Sequence, residues 1–201
     1  MTEKEKWREL YQEGVEAIGN FEFERAQECL HAALRELHDS GHGWSEDTTR
    51  VMRDYAHALQ FGDEHDASRR TFEELAALEE TMYGCEDLRL AETTESWGQA
   101  CLDAGDCTQA EELAAKAIGI CLPHVKHALR TYGGALVTLA HSQLVQGKTA
   151  EATKSARAGF AMLEMADGPA NAGLAGALGI LSSALKALYD KDREEDEQEG
   201  R

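Results

Sequence analysis

Apolar residues recur every three or four positions along most of the chain, a spacing that predicts amphipathic α-helices rather than strands. In the first stretch this stripe comprises Trp7, Leu10, Tyr11, Gly14 and Ile18. Breaks rich in Gly and Asp separate successive stripes and predict helices at about 3–18, 22–38, 46–61, 64–82, 88–104, 108–121, 124–146, 149–165 and 170–189. Only 6% of the residues are aromatic and two are proline, so we expect an all-α protein.

Small residues recur at fixed positions within these helices, where two antiparallel helices would have to approach closely. The third copy of the pattern is Gly98, Gly105, Ala110 and Ala117, with Gly105 in the turn between two helices. The same spacing can be laid over three other sets: Gly14, Phe21, Ala26 and Ala33; Tyr55, Gly62, Ala67 and Glu74; and Ala140, Gly147, Ala152 and Gly159. Successive copies are offset by 41, 43 and 42 residues, which predicts four repeats of a helix pair.

This pattern resembles the tetratricopeptide repeat (TPR) family, in a lengthened form of about 42 residues like that of kinesin light chains and bacterial TPR regulators. The resemblance implies a right-handed superhelical solenoid of antiparallel helix pairs, each with a first helix A and a second helix B. We expect one solenoid domain over 1–189, with repeats at about 3–40, 45–83, 87–122 and 124–167 and a capping helix at 170–189. Residues 190–201 are mostly acidic and are expected to form a disordered tail.

The resemblance also implies a binding surface, because the A helices of such folds line a concave face. The predicted surface is apolar in the first two repeats and acidic in the third. Its residues are Arg8, Tyr11, Val15, Ile18, Thr49, Met52, Ala56, Leu59, Glu92, Glu95, Gln99, Leu102, Val137, His141 and Leu144. We expect it to bind a peptide or helix of another protein, apolar with some basic residues. The Lys, Asn and Arg clamp of chaperone-binding relatives is missing, since Tyr11, Val15, Glu92 and Ser96 occupy matching positions.

The net charge of −18 argues against two classes of partner. A broad negative field repels nucleic-acid phosphates and anionic membranes, whereas it attracts a basic protein. The same charge can simply keep an extended array soluble. The N-terminal residues are charged and 170–185 is too short and too weakly apolar to span a bilayer, so we expect a cytoplasmic protein.

No group of residues in the sequence is typical of catalysis, and we expect neither an enzyme nor a cofactor. Five cysteines without regular spacing are expected to be reduced. Cys121, His124 and His127 have short spacing but lack a second ligand pair, so we expect no metal site. His38 and His42 flank a glycine-containing loop beside Trp44, where they either form a pH-sensitive contact or cover the end of a helix pair.

The C-terminal helix is unusual for a cap because it carries apolar residues on two sides. The predicted inner stripe is Leu174, Leu178, Leu181, Leu185 and Leu188. The other side holds Ile180 among small residues, and we expect a second copy of the chain or the bound partner to cover it. Two alternatives to the adaptor stay open: a sensor that responds to a peptide or ligand, and a subunit of a larger effector complex.

Overall fold

The computed structural model describes residues 3–41, 43–168, 174–184 and 186–187, and within these residues it contains helices and no strand. Two compact units divide the chain after Ala104. The first unit contains α1 (Glu3–Gly19), α2 (Phe23–Asp39), α3 (Glu46–Phe61), α4 (His65–Tyr83) and α5 (Leu88–Asp103). The second contains α6 (Cys107–Cys121), a 3-10 helix (Leu122–His127), α7 (Leu129–Val145), α8 (Thr149–Asp167) and α9, which is helical at 174–184 and 186–187.

Each helix of the first unit packs on the next one along the chain, and α3 also contacts α1 and α5. The core of this unit is built from small residues and leucines. Gly14 of α1 shows why small residues are needed, because a Cβ atom there would lie 2.6 Å from Leu30 Cγ of α2. Ala26, Leu30 and Ala33 on the facing side of α2 are fully buried. The predicted antiparallel pairing of α1 with α2 therefore depends on this close approach.

The turns between paired helices repeat more regularly than the sequence pattern indicated. A residue with left-handed backbone (φ between 62° and 83°) follows each A helix at Phe21, Asp63, Gly105 and Gly147, at intervals of 42 residues. The backbone N–H groups of Asp63 and Glu64 donate to the carbonyls of Gln60 and Leu59, and the turns at Phe21 and Gly147 show the same pairing. The repeat is therefore constant in length across all four turns.

The predicted register of the second repeat was wrong by one residue. Gly62 was expected in the turn, but its φ is −90° and the turn residue is Asp63. Gly62 is small for another reason, since a Cβ atom there would clash with Gln27, whose side-chain amide donates to Ala58 O at 3.1 Å. The repeat positions given to Tyr55, Ala67 and Glu74 belong instead to their successors Ala56, Ser68 and Leu75, which are fully buried.

In the second unit α7 packs on α6 and on α8. Gly159 of α8 allows a close contact with α7. A Cβ atom at this position would lie 2.9 Å from Val137 Cγ2 and 3.0 Å from the carbonyl oxygen of Gly133. Ala110 and Ala152 are fully buried, as predicted. The predicted start of the seventh helix at about residue 124 was wrong, because Pro123 lies in a 3-10 helix, His124 is non-helical, and α7 begins at Leu129.

The buried side of α9 differs from the predicted stripe. Leu174, Ala177 and Ala184 are buried, whereas Leu178, expected on the inner side, is 53% exposed. Ile180 and Leu181 are both half-buried. The helix is therefore rotated relative to the prediction, so that small residues rather than leucines supply most of the buried side. Leu185, Leu188 and the predicted tail at 190–201 lie outside the described residues.

Candidate partner-binding face of the first unit

The A helices of the first unit are α1, α3 and α5, and we call the surface they share the A face. The corrected register changes which residues of α3 belong to it. Met52 and Leu59, predicted there, are only 7% and 5% exposed and lie in the core with Thr49 and Ala56. The positions one residue further on are Arg50, Arg53, His57 and Gln60. Of these four, Arg50 is exposed, Arg53 and His57 are half-buried, and Gln60 is buried. The second repeat therefore has polar side chains, most of them partly buried, where apolar ones were expected.

Side-chain hydrogen bonds join the three helices across this face. Tyr11 Oη of α1 donates to Asp54 Oδ2 of α3 at 2.8 Å, and Gln60 Nε2 of α3 donates to Asp103 Oδ2 of α5 at 2.6 Å. Burial, together with the hydrogen bond to Asp54 and its charge, raises the pKa of Tyr11 to about 12. The phenol therefore stays protonated at neutral pH and holds α1 against α3.

The remaining predicted residues of α1 stay accessible. The Arg8 guanidinium lies 5.3 Å from the centre of the Trp7 ring and is exposed. Val15 is exposed, and Ile18 is half-buried against the core. This end of the A face therefore offers one cation, Arg8, and one exposed apolar side chain, Val15.

Arg53 of α3 forms an ion pair with the buried carboxylate of Glu79. Its Nη2 atom donates to Glu79 Oε1 of α4 at 2.5 Å and approaches Thr93 Oγ1 of α5 at 3.5 Å. The Glu79 side chain is fully buried, and its Oε2 has no hydrogen-bond partner within the described part of the chain. Burial raises the pKa of Glu79, while Thr93 and Arg53 oppose that rise. The sequence does not indicate this contact, because Glu79 is one of two adjacent glutamates, a pair that is typical of a solvated face.

Glu92 and Glu95 form an acidic pair on α5, as the sequence predicted. Glu92 is exposed and Glu95 is half-buried, and Gln99 Nε2 donates to Glu95 Oε1 at 3.0 Å. Burial and then repulsion from Glu92 raise the pKa of Glu95 to about 7. Among the described residues no Lys, Arg or His forms an ion pair with either carboxylate. A cation placed beside this pair would favour the ionised form of Glu95 and offset its repulsion with Glu92.

The predicted residues of the fourth repeat belong to the second unit. Val137 of α7 is half-buried against Gly159 of α8, and Leu144 is also half-buried. His141 is exposed on α7. Within its own unit, therefore, the predicted surface keeps one accessible polar side chain.

A cavity of about 770 Å³ that sequence reasoning missed lies between α2, α3 and α4. Met52 lines it on the side of the B helices α2 and α4, not on the A face. Trp44, which is largely exposed, His38, Leu34 and Tyr55 also line it. The paired glycines around Trp44 were the available signal, because they mark a loop. His42 of that loop lies outside the described residues.

The sequence analysis predicts no metal site at Cys121, His124 and His127. Cys121 is buried at the end of α6, and both histidines are exposed in the 3-10 helix. The described part of the chain contains no group of three His, Cys, Asp or Glu side chains arranged to hold a metal ion. No disulfide joins the five cysteines, all of which are described. Among the described helices none is long and apolar enough to cross a membrane.

Comparisons by sequence find no relative: no protein-family model matches the chain, and no curated protein matches it. Solved structures do match. A kinesin light chain-like protein of Podosopora anserina with nearly identical TPR-like repeats has a TM-score of 0.74 at 14% identity, covering 100% of this chain and 94% of its own. BtubC from P. vanneervenii has a TM-score of 0.63 at 12% identity, with the same coverage. MamA has a TM-score of 0.56 at 13% identity, covering 94% of this chain and 96% of its own.

At these identities the comparisons establish the fold alone. They confirm the fold that the fourfold pattern of small residues predicted. The chain has an all-α, TPR-like repeat fold.

Proposed function

We propose that the chain is a non-enzymatic adaptor whose A face binds a helical or extended segment of another protein. The segment would be partly apolar and would carry a Lys or Arg. The fold supports the general role, because repeat arrays of this kind act as interaction scaffolds. We also place the adaptor in the cytoplasm, which agrees with five cysteines that form no disulfide.

The observation that supports this function best is the acidic pair Glu92 and Glu95. Two carboxylates on one helix face repel each other, and the pKa of the half-buried one, Glu95, is raised to about 7. A cation from a partner would relieve that repulsion and would gain a charge-assisted hydrogen bond. Arg53 does not supply this cation from within the chain, because its guanidinium is bound to Glu79. The corrected register leaves Tyr11 and Val15 as the apolar contacts of the face.

The test is affinity purification from the native host, followed by binding measurements with the protein that co-purifies. Reversing both charges with Glu92→Lys and Glu95→Lys should weaken binding at least about tenfold, as expected when a desolvated charge pair becomes repulsive. The matched control is the pair Glu151→Lys and Glu164→Lys, which changes net charge equally on exposed positions of α8. An equal loss of affinity in both double variants would show that net charge alone causes the loss, and would contradict the proposal.

The cavity between α2, α3 and α4 favours a second function, that of a ligand-responsive sensor. Its volume of about 770 Å³ is in the range of small-molecule sites, and apolar side chains such as Leu34 and Met52 line it beside polar ones. A ligand at this place should raise Tm in the absence of any protein partner. Trp44→Ala should reduce that rise, whereas Glu92→Lys should leave it unchanged.

The proposal includes the C-terminal helix, whose outward side we expect a second copy or the partner to cover. Ile180 is half-buried and Leu178 is exposed on this helix. Ile180→Glu should lower the solution mass if a second copy covers the helix, or weaken partner binding if the partner does. Parent values for both quantities would show that α9 is an ordinary cap.

A further inference from the structure

Phe21 occupies a backbone position that disfavours it. Its φ of 62° is left-handed, and the equivalent positions of the other three repeats hold Asp63, Gly105 and Gly147. Gly has no Cβ atom to clash in this conformation, and Asp tolerates it better than bulky residues do. The fold therefore does not require phenylalanine at this turn position.

Packing does not compensate for this strain, since 79% of the Phe21 side chain is exposed. Its ring meets Phe23 edge-on at 6.1 Å, and the Phe23 ring lies 5.7 Å from that of Phe61, which is itself 55% exposed. The His57 ring stacks on that of Phe61, with the ring centres 6.0 Å apart. We call Phe21, Phe23 and Phe61 the aromatic patch. The three rings form a continuous apolar surface at the turn end of the first two repeats.

The patch borders a shallow cleft of about 530 Å³ whose rim is acidic. Glu22, Glu24 and Asp63 supply three carboxylates, of which Glu22 is bound to Arg25 at 3.1 Å. His65 Nε2 lies 3.8 Å from Asp63 Oδ1 and would offset that charge only when protonated. An apolar surface inside an acidic rim matches an apolar side chain that is flanked by positive charge. A second copy of the chain fits less well, because two chains of net charge −18 would bring acidic rims together.

We propose that the aromatic patch is a second docking site, which takes a large apolar side chain next to Lys or Arg on another protein. The site goes beyond the proposed function of the A face, since it uses the turns after α1 and α3 rather than the carboxylates of α5. Different variants therefore test the two sites. Phe21 is kept at the turn, against the preference of the backbone, because its exposed ring is the contact.

The experiment measures fluorescence anisotropy of a short labelled amphipathic peptide made of Phe, Leu and Lys. A second peptide, with Ser in place of Phe and Leu, measures binding by charge alone. Both are titrated with the parent, Phe21→Gly and Phe61→Ala at an ionic strength of about 0.15 M, where distant charges are screened. Phe21→Gly changes no charge and should keep Tm within about 3 °C of the parent or raise it, because it relieves the left-handed strain. The matched control is Met165→Ala, which removes another large exposed apolar side chain on α8.

The proposal expects the apolar peptide to bind the parent and Met165→Ala equally. Phe21→Gly should raise Kd about tenfold or more, the loss expected when most of one buried Phe side chain no longer contributes. The serine peptide should bind all variants alike. An unchanged Kd for Phe21→Gly, or equal binding of the two peptides by the parent, would overturn the proposal. A parent that sediments as a dimer and becomes monomeric in Phe21→Gly would also overturn it, in favour of a second copy.

Discussion

Replacing Glu95 by Gln should stabilise the protein at neutral and alkaline pH. Glutamine keeps the size of the side chain and an oxygen that can accept the hydrogen bond from Gln99 Nε2. It removes the charge that burial and Glu92 oppose. A change that weakens partner binding would then make the free protein more stable.

The magnitude follows from the pKa shift of Glu95. Its ordinary value is 4.5 and its value in the folded chain is about 7, so the folded state holds more protons than the unfolded state between these pH values. Stability therefore falls as pH rises through this window. Each pKa unit corresponds to about 1.4 kcal/mol, which gives an upper limit of about 3 kcal/mol for the full shift. Because solvent reaches the half-buried carboxylate, we expect about 1–2 kcal/mol at pH 8.

The assay is urea unfolding of the parent and Glu95→Gln at a series of pH values. The two proteins should be equally stable near pH 4, where the carboxylate is protonated in both states, and should diverge up to pH 8. Glu28→Gln, on an exposed position in the middle of α2, is the control and should follow the parent throughout. A constant difference between Glu95→Gln and the parent at all pH values would refute the reasoning, because it would have a cause other than ionisation.

Three further predictions concern the packing. Glu79→Ala should lower the free energy of unfolding, measured with urea, by about 3–5 kcal/mol because it leaves Arg53 without its buried partner. The double variant Glu79→Leu with Arg53→Met should recover most of that loss, and a double variant as unstable as Glu79→Ala would contradict this. Gly159→Ala should cost about 1–3 kcal/mol because its Cβ atom would meet the backbone of α7, whereas Gly119→Ala, with open space around it, should raise Tm. Ala110→Leu should also cost about 1–3 kcal/mol at a fully buried position, and parental stability would refute the assigned repeat register.

The fold could be predicted because four copies of one pattern reinforce one another. The error in the second repeat arose because a glycine has two uses that look alike in a sequence. Gly105 and Gly147 are glycines because the turn needs positive φ, whereas Gly62 is one because Gln27 approaches its backbone. Asp63 takes the turn instead, and no local signal distinguishes the two cases.

The candidate site was predicted only where the register was correct. Glu92, Glu95 and Gln99 lie together on α5 as expected, because Gly98 and Gly105 set their position. The slip of one residue in α3 exchanged surface residues for core ones, which is why Met52 and Leu59 were assigned to the face. The contact of Arg53 with Glu79 joins residues 26 apart in the sequence and depends on helix packing that the residue pattern does not encode.

The most direct test of the central claim is an NMR titration of the Glu95 side-chain carboxyl, free and with the lysine- or arginine-containing segment of the identified partner bound. We expect a pKa of about 7 in the free protein and a lower pKa in the complex, because a bound cation favours the ionised carboxylate. The same pKa in the free and bound protein would contradict the claim that the A face receives its partner through this acidic pair.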